Sequence, residues 1–320
     1  MPLFPTREKV CCMIVGIPRA LLYYKYGVLW ETFFDELGIE YIVSPETDMS
    51  IIRNGTTYAI DEACFSSKVY LGHVEWLIDR CDVILVPRIF NLGGDGEVCT
   101  KFQAIYDLVN NTFRHRNIQL INYNIEQKNS DYEVKAFLKM GKFFGRKKSS
   151  TMRAYLIARQ IKWAWEMLEQ RRNMDFLMAQ DKRLKILLVG HGYNVADRFV
   201  GLPISDYLWN INVIPIRGDI VHKKQALAKS AEISSTLPWA FNKELVGAVA
   251  LYKEKVDGII LISSFPCGPD SLVNEIIMRR VKEVPVLNLL IDGQEGRAGL
   301  ETRLDSFIDV IKFKKGDYSA

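Results

Sequence analysis

Residues 82–88 read DVILVPR, and residues 257–264 read DGIILISS. Each is an aliphatic run opened by aspartate, too short for an ordinary helix and without the polar alternation of a strand that has one wet face. Such a run is a strand buried on both sides, the mark of a parallel sheet lying between layers of helices. Similar runs recur around both. VCCMIVG (10–16), EYIVS (40–44) and IQLINYN (118–124) accompany the first, and KILLVG (185–190), NVIPI (212–216) and VPVLNLLI (284–291) accompany the second. Amphipathic stretches fill the intervals, so the chain reads as α/β with doubly wound parallel sheets. From 127 to 182 helical periodicity continues without any strand signal, which predicts a helical connector between a first domain over 1–126 and a second over 183–320.

The halves repeat one plan. MIVG followed by a long amphipathic stretch and EYIVS matches LLVG followed by a similar stretch and NVIPI. Both opening strands end in glycine, Gly16 and Gly190, as a tight turn requires. Further on, DEACFSSKVYLGHVEW leading to DVILVPR parallels PWAFNKELVGAVALY leading to DGIILISS. That alignment makes Cys99 and Cys267 counterparts and sets Cys64 opposite Ala240 or Phe241. Pseudo-repeated sheets would present loops at their carboxyl ends, where ligands of open α/β sheets bind.

Composition is that of a soluble globular chain: 48% hydrophobic and 25% charged residues over 320 positions. No apolar run approaches a membrane span, and the N-terminus lacks a secretory pattern, so a cytoplasmic protein is expected. A net charge of +4 from 42 basic and 38 acidic residues is too mild to imply nucleic acid. The loop GGDG (93–96) has neither the dinucleotide fingerprint nor the P-loop lysine, so no nucleotide site is expected on this chain.

Six cysteines stand at 11, 12, 64, 81, 99 and 267, with no CxxC pair. Without a secretory context, reduced thiols are expected rather than a disulfide framework. Cys11 and Cys12, inside the first strand, and Cys81, at a strand boundary, read as buried structural thiols. Cys64, Cys99 and Cys267 differ, because each precedes a predicted helix, where the dipole and free N–H groups favour the thiolate. They read either as separate structural thiols or as one shared metal site. Gaps of 35 and 168 residues are unlike structural zinc, which uses at least one short spacing. Three thiolates from separate loops suit a [4Fe-4S] cluster whose fourth iron is open or bridged.

Other candidates lie nearby. Glu62 can serve as an acid or base beside Cys64 or complement the helix dipole. His191, after Gly190 at a strand's carboxyl end, is in a position where functional groups gather. Arg19, after GIP, can offset an anion or form a surface ion pair. His73, in YLGHVEW, reads as a packed side chain or as a crevice residue.

EACFSSK and YLGH, the loop to Cys99, GHGYNVADRFVG, PWAF, SFPCGPDS and DGQEGRAGLETRLDSF together resemble the activase-related proteins of the 2-hydroxyacyl-CoA dehydratase superfamily, which also holds dehydratase subunits, benzoyl-CoA reductase subunits and double-cubane proteins. The resemblance runs from about residue 10 to 313. It implies two Rossmann-like domains and a [4Fe-4S] cluster held by Cys64, Cys99 and Cys267, or an [8Fe-9S] double-cubane centre across a dimer. It further implies low-potential electron transfer in an anaerobe, driven by an ATP-hydrolysing activator of the sugar kinase/Hsp70/actin class. A homodimer, or a heterodimer with a paralogous chain, is expected. The alternatives are a catalytic subunit of a 2-hydroxyacyl-CoA dehydratase and a scaffold that carries the cluster. The ending departs from the family, with Asp292, Gly293, Gln294 and Glu295 where an acid and an imidazole are usual, which weakens a proton-transfer role there.

Overall fold

The computed structural model describes residues 13–130, 132–294 and 296–316. The chain divides into two compact units, Met1–Met167 and Leu168–Ala320. The first contains β1 (Val15–Ile17), α1 (Tyr23–Leu37), β2 (Tyr41–Val43), α2 (Met49–Tyr58), α3 (Phe65–Ile78), β3 (Val83–Asn91), α4 (Thr100–Thr112), β4 (Gln119–Glu126) and α5 (Glu133–Phe143). The long α6 (Lys148–Met178) runs through the division. The second contains β5 (Lys185–Val189), α7 (Gly192–Val195), α8 (Leu202–Asn210), β6 (Ile214–Arg217), α9 (Lys223–Ser230), α10 (Ala240–Tyr252), β7 (Gly258–Ser264), α11 (Gly268–Arg280), β8 (Val286–Ile291) and α12 (Arg297–Lys315).

Each unit holds one four-stranded parallel sheet, in the orders β2-β1-β3-β4 and β6-β5-β7-β8. The orders are identical, so the two Rossmann-like sheets repeat one topology. Every residue of β7 and the first five of β3 are buried, as expected of the aliphatic runs. Right-handed crossovers place α1 on one face of the first sheet and α2, α3 and α4 on the other. On the α1 face, Trp30 and Phe33 meet Tyr123 and Phe137 in edge contacts at 5.5 and 4.6 Å. In the second unit, β5, β6 and β7 build the core with α10 and α11 through Leu187, Ile216, Val246, Val249, Leu261 and Ile277.

The aspartates that open both central runs do the same work. Asp82 Oδ2 accepts from Ile14 N at 2.7 Å and Asp257 Oδ2 from Lys185 N at 2.7 Å. Val15 pairs with Val83, and Ile186 with Gly258. This register corrects one sequence alignment, because it sets Gly16 opposite Leu187 while Gly190 lies beyond β5. Neither glycine has a left-handed φ. Gly16 is needed for space, since a Cβ there would sit 2.5 Å from Cys81 Sγ; at Gly190 it would sit 2.5 Å from Ile262 O. Cys81 is thus packed against the sheet, and burial pushes its thiol up to about 12. Cys11, Cys12 and Glu295 lie outside the described residues.

A second correction concerns the counterpart of Cys64. Cys64 is the N-cap of α3 and Trp239 the N-cap of α10, and each is followed eight positions later by a glycine at a helix crossing. A Cβ on Gly72 would lie 2.0 Å from Ile51 O of α2, and one on Gly247 would lie 1.9 Å from Ala226 O of α9. The equivalent of Cys64 is therefore Trp239, one residue before the pair expected from the sequence. These contacts are with backbone, which cannot swing away. Gly72→Ala and Gly247→Ala are each expected to destabilise their own unit by about 2 kcal/mol or more, measured as a fall in the urea midpoint at unchanged m-value.

Candidate functional site

In each sheet the connections leave the central pair in opposite directions, β1 toward β2 and β3 toward β4, and likewise β5 toward β6 and β7 toward β8. A crevice opens at the carboxyl ends of such a pair. In the second unit, His191 follows β5 and Cys267 follows β7. His191 Nε2 lies 3.0 Å from Asp270 Oδ1, and Asn242 Nδ2 donates to the same oxygen at 2.8 Å. The Cys267 side chain also bonds to Asp270. Asp270 is 5% exposed. Burial alone would raise its carboxyl, but the charge interaction with His191 and the bonds from His191, Asn242 and Cys267 outweigh this and hold it below the usual carboxylate range. The His191 ring stacks on Tyr193 at 5.0 Å. Ser264 Oγ donating to Asn194 Oδ1 at 2.8 Å and Asn274 Nδ2 donating to Ser263 Oγ at 3.2 Å continue the buried polar floor.

The first unit presents Cys64 and Cys99, both half-buried N-caps, Cys64 with extended backbone. Their helices, α3 and α4, both precede strands of a parallel sheet and pack against each other, so they run side by side from the carboxyl edge. Asp79 and Arg116, just past the far ends of the two helices, form an ion pair at 2.7 Å. His73 marks the level of that edge, since its Nδ1 is 2.8 Å from Ser44 Oγ just after β2. Cys64, nine residues earlier on α3, stands about 13 Å further along the helix axis. β3 also overshoots, because β1 pairs with it only at Val83 and Ile84 while β3 continues to Asn91. Cys64 Sγ is 3.1 Å from Ser67 Oγ.

The loop before Cys99 is clasped by Gln103, whose Nε2 donates to Phe90 O and Val98 O at 3.2 Å each. Asn91 Oδ1 accepts from Gly93 N at 3.3 Å and Lys128 N at 2.9 Å. GGDG supplies the backbone this loop needs, with Gly93 at φ 64° and Gly96 at φ 125°. Its glycines shape a thiol-bearing turn.

The remaining candidates separate. Glu62 is exposed in the turn before α3. Arg19 Nε donates to Ser44 O at 3.1 Å, and its guanidinium lies 5.6 Å from the Tyr23 ring centre. His73 is fully buried, with Nε2 3.1 Å from Thr47 Oγ1, so it joins the end of β2 to α3 as a packed side chain. Cys64 and Cys99 belong to the first unit and Cys267 to the second, so neither unit alone assembles the trio. Among the described residues no group of three His, Cys, Asp or Glu stands ready-made as a metal site.

Sequence reasoning missed Asp270, Asn242 and Ser67. Each is the third residue after an N-cap: Cys267, Trp239 and Cys64 respectively. That spacing is the position from which a side chain reaches back over a helix mouth.

Burial, aided by the nearby Arg19 charge, drives the His73 imidazolium down to about 3 from 6.5. The folded ring therefore stays neutral where the unfolded one takes a proton, and stability is lost as pH falls from about 6.5 toward 3. Between pH 6.5 and 5 this group is expected to cost about 2 kcal/mol. Urea titrations at both pH values should show that loss in the wild type and its absence in His73→Gln.

Residues 14–221 match the family described as the CoA enzyme activase uncharacterised domain (DUF2229). No curated protein matches the chain. Solved structures with similarity include the SBP FpvC of Pseudomonas aeruginosa in complex with Ni2+, at 12% identity and TM-score 0.28, with 96% of this chain and 98% of that one covered. A mutant variant of Zn(II)-bound AdcAII of Streptococcus pneumoniae follows at 10% identity and TM-score 0.29, with 93% and 97% covered. Likeness at that level carries no functional argument. Among the described residues no helix is long and apolar enough to cross a membrane.

Proposed function

The chain belongs to the family of the CoA enzyme activase uncharacterised domain, and from that premise we propose that it is an iron–sulfur component acting in ATP-driven low-potential electron transfer, with Cys64, Cys99 and Cys267 as its ligands. The observation that carries the reading is positional. All three thiols are half-buried N-caps at the mouths of helices that start from carboxyl edges of the two repeated sheets. Thiolate donors at helix mouths, where the dipole favours their charge, suit a soft iron–sulfur group. When bound, such a group supplies a one-electron acceptor and donor.

The protein's own residues hold and shield it. Ser67 stands against Cys64, Gln103 and Asn91 fix the turn that offers Cys99, and Asp270 meets Cys267. In this proposal the electron comes from a separate activator that hydrolyses ATP. The partner downstream is a dehydratase- or reductase-type component, or a second copy that completes an [8Fe-9S] centre.

A second reading, a catalytic dehydratase subunit, gains from the His191–Asp270 pair beside Cys267, which offers an acid/base couple near the same ligand. Dehydration of 2-hydroxyacyl-CoA thioesters, assayed with activator and ATP present, separates the two.

Anaerobic reconstitution is expected to yield about four irons per chain. Cys64→Ser, Cys99→Ser and Cys267→Ser should each lose most of the iron and its visible absorption, while Cys81→Ser keeps both. Iron-free wild type under these conditions sinks the reading, and sulfide count with native mass distinguishes a single cubane from a double one.

A further inference from the structure

The carboxyl edge of the first sheet holds an arginine fastened at three points. Arg19 follows β1 and is half-buried. Its backbone N–H donates to Ser44 Oγ at 2.8 Å, its Nε donates to Ser44 O at 3.1 Å, and its guanidinium stands 5.6 Å from the centre of the Tyr23 ring. Ser44 Oγ in turn meets Nδ1 of the fully buried His73 at 2.8 Å. Tyr23 lies over Gly27 of α1, where a Cβ would come within 2.8 Å of its ring, and its Oη donates to Glu31 Oε1 at 2.8 Å. Among the described residues no carboxylate forms an ion pair with Arg19, so the guanidinium is held in place while both Nη groups lack a protein acceptor.

The repeat shows that the fold does not require this arrangement. Ser44 N donates to Ile17 O at 3.1 Å as Gly218 N donates to Leu188 O at 2.8 Å, so Ser44 corresponds to Gly218 and Arg19 to Gly190. His73 follows Gly72 as Ala248 follows Gly247. An arginine, a serine and a histidine thus stand where the other unit builds the same topology with two glycines and an alanine. The second unit does set an arginine at the end of β6, but Arg217 is paired with Asp219 through bonds of 3.0 and 2.6 Å. The turn after Arg19 also carries a buried non-glycine residue in the left-handed region, Leu21 at φ 49°, a conformation that persists only where its surroundings impose it. We propose that Arg19 is the binding residue of an oxyanion site in the first unit, taking a phosphate or carboxylate group end-on from a cradle made by Ser44 and Tyr23. With Nε committed to Ser44 O, the two Nη groups present a fork to a pair of oxygens. The site uses none of the three thiols, so it stands or falls independently of iron.

Full-length wild type is treated with phenylglyoxal in chloride, phosphate and acetate at equal ionic strength, and adducts are quantified residue by residue by mass spectrometry. Arg19 is expected to react in chloride and to be slowed several-fold by phosphate or acetate, while the exposed Arg53 on α2 changes little. Protection by phosphate alone assigns a phosphoryl group, and protection by acetate assigns a carboxylate. An Arg19 that is unreactive in chloride, or equally reactive in all three salts, overturns the site. Urea midpoints of wild type, Arg19→Lys and Arg19→Gln in the protecting anion and in chloride give a second readout, because a ligand held only by the folded protein raises its stability. The gain should be greatest in wild type, smaller in Arg19→Lys, whose point charge lacks the fork, and reduced in Arg19→Gln to the general effect of the salt. Equal gains in wild type and Arg19→Gln overturn the site, and if Arg19→Gln fails to fold, labelling of the wild type decides alone.

Discussion

A strand buried on both faces can satisfy its backbone only through its neighbours, and that constraint on β3 and β7 organises the rest of the molecule. Parallel neighbours meet the need but require a crossover each time, and every crossover here ends in a helix that starts from the carboxyl edge. The N-termini of these helices, with their unpaired N–H groups, therefore gather on one side of each sheet. Cys64, Cys99 and Cys267 occupy three of those termini, and His191 and Trp239 two more. Thiols there are a consequence of topology as much as of local sequence.

The two units share that topology yet have diverged in what they place at equivalent points. Where the first has Cys64 with Ser67 three residues on, the second has Trp239 with Asn242. Where the first has a seven-residue loop before Cys99, shaped by Gly93 and Gly96, the second sets only two residues between Ser264 and Cys267. Gly72 and Gly247 kept their places because each crossing brings backbone within reach of any Cβ. Helix contact at a glycine tolerates no side chain, whereas a partly exposed N-cap does, and this separates what the two units share from where they differ.

Among the described residues the strands were legible as short apolar runs between amphipathic stretches, most plainly β3 and β7, which are buried on both faces, and the strand order came only with the structure. The glycine alignment failed for a physical reason. Gly16 and Gly190 look alike in sequence, but one lies inside β1 against Cys81 and the other past β5 against Ile262. Only the strand register, visible in the matched Asp82 and Asp257 clamps, tells them apart. The same limit displaced the partner of Cys64 by one residue, since the N-cap is set by backbone geometry.

The residues at the helix mouths were legible in part. A cysteine ahead of a helix can be read from turn and periodicity, so the three thiols stood out, and so did His191 after its strand. Asp270 could not be weighted the same way, because an acid near a helix start is common and bland. Its distinction comes from convergence: His191 and Asn242 lie 79 and 28 residues away in sequence, and both donate to one buried oxygen. Burial of an anion is tolerated only with such company. A carboxylate so supplied at the mouth of α11, matched by Phe102 at the mouth of α4, sets those two equivalent places apart electrostatically.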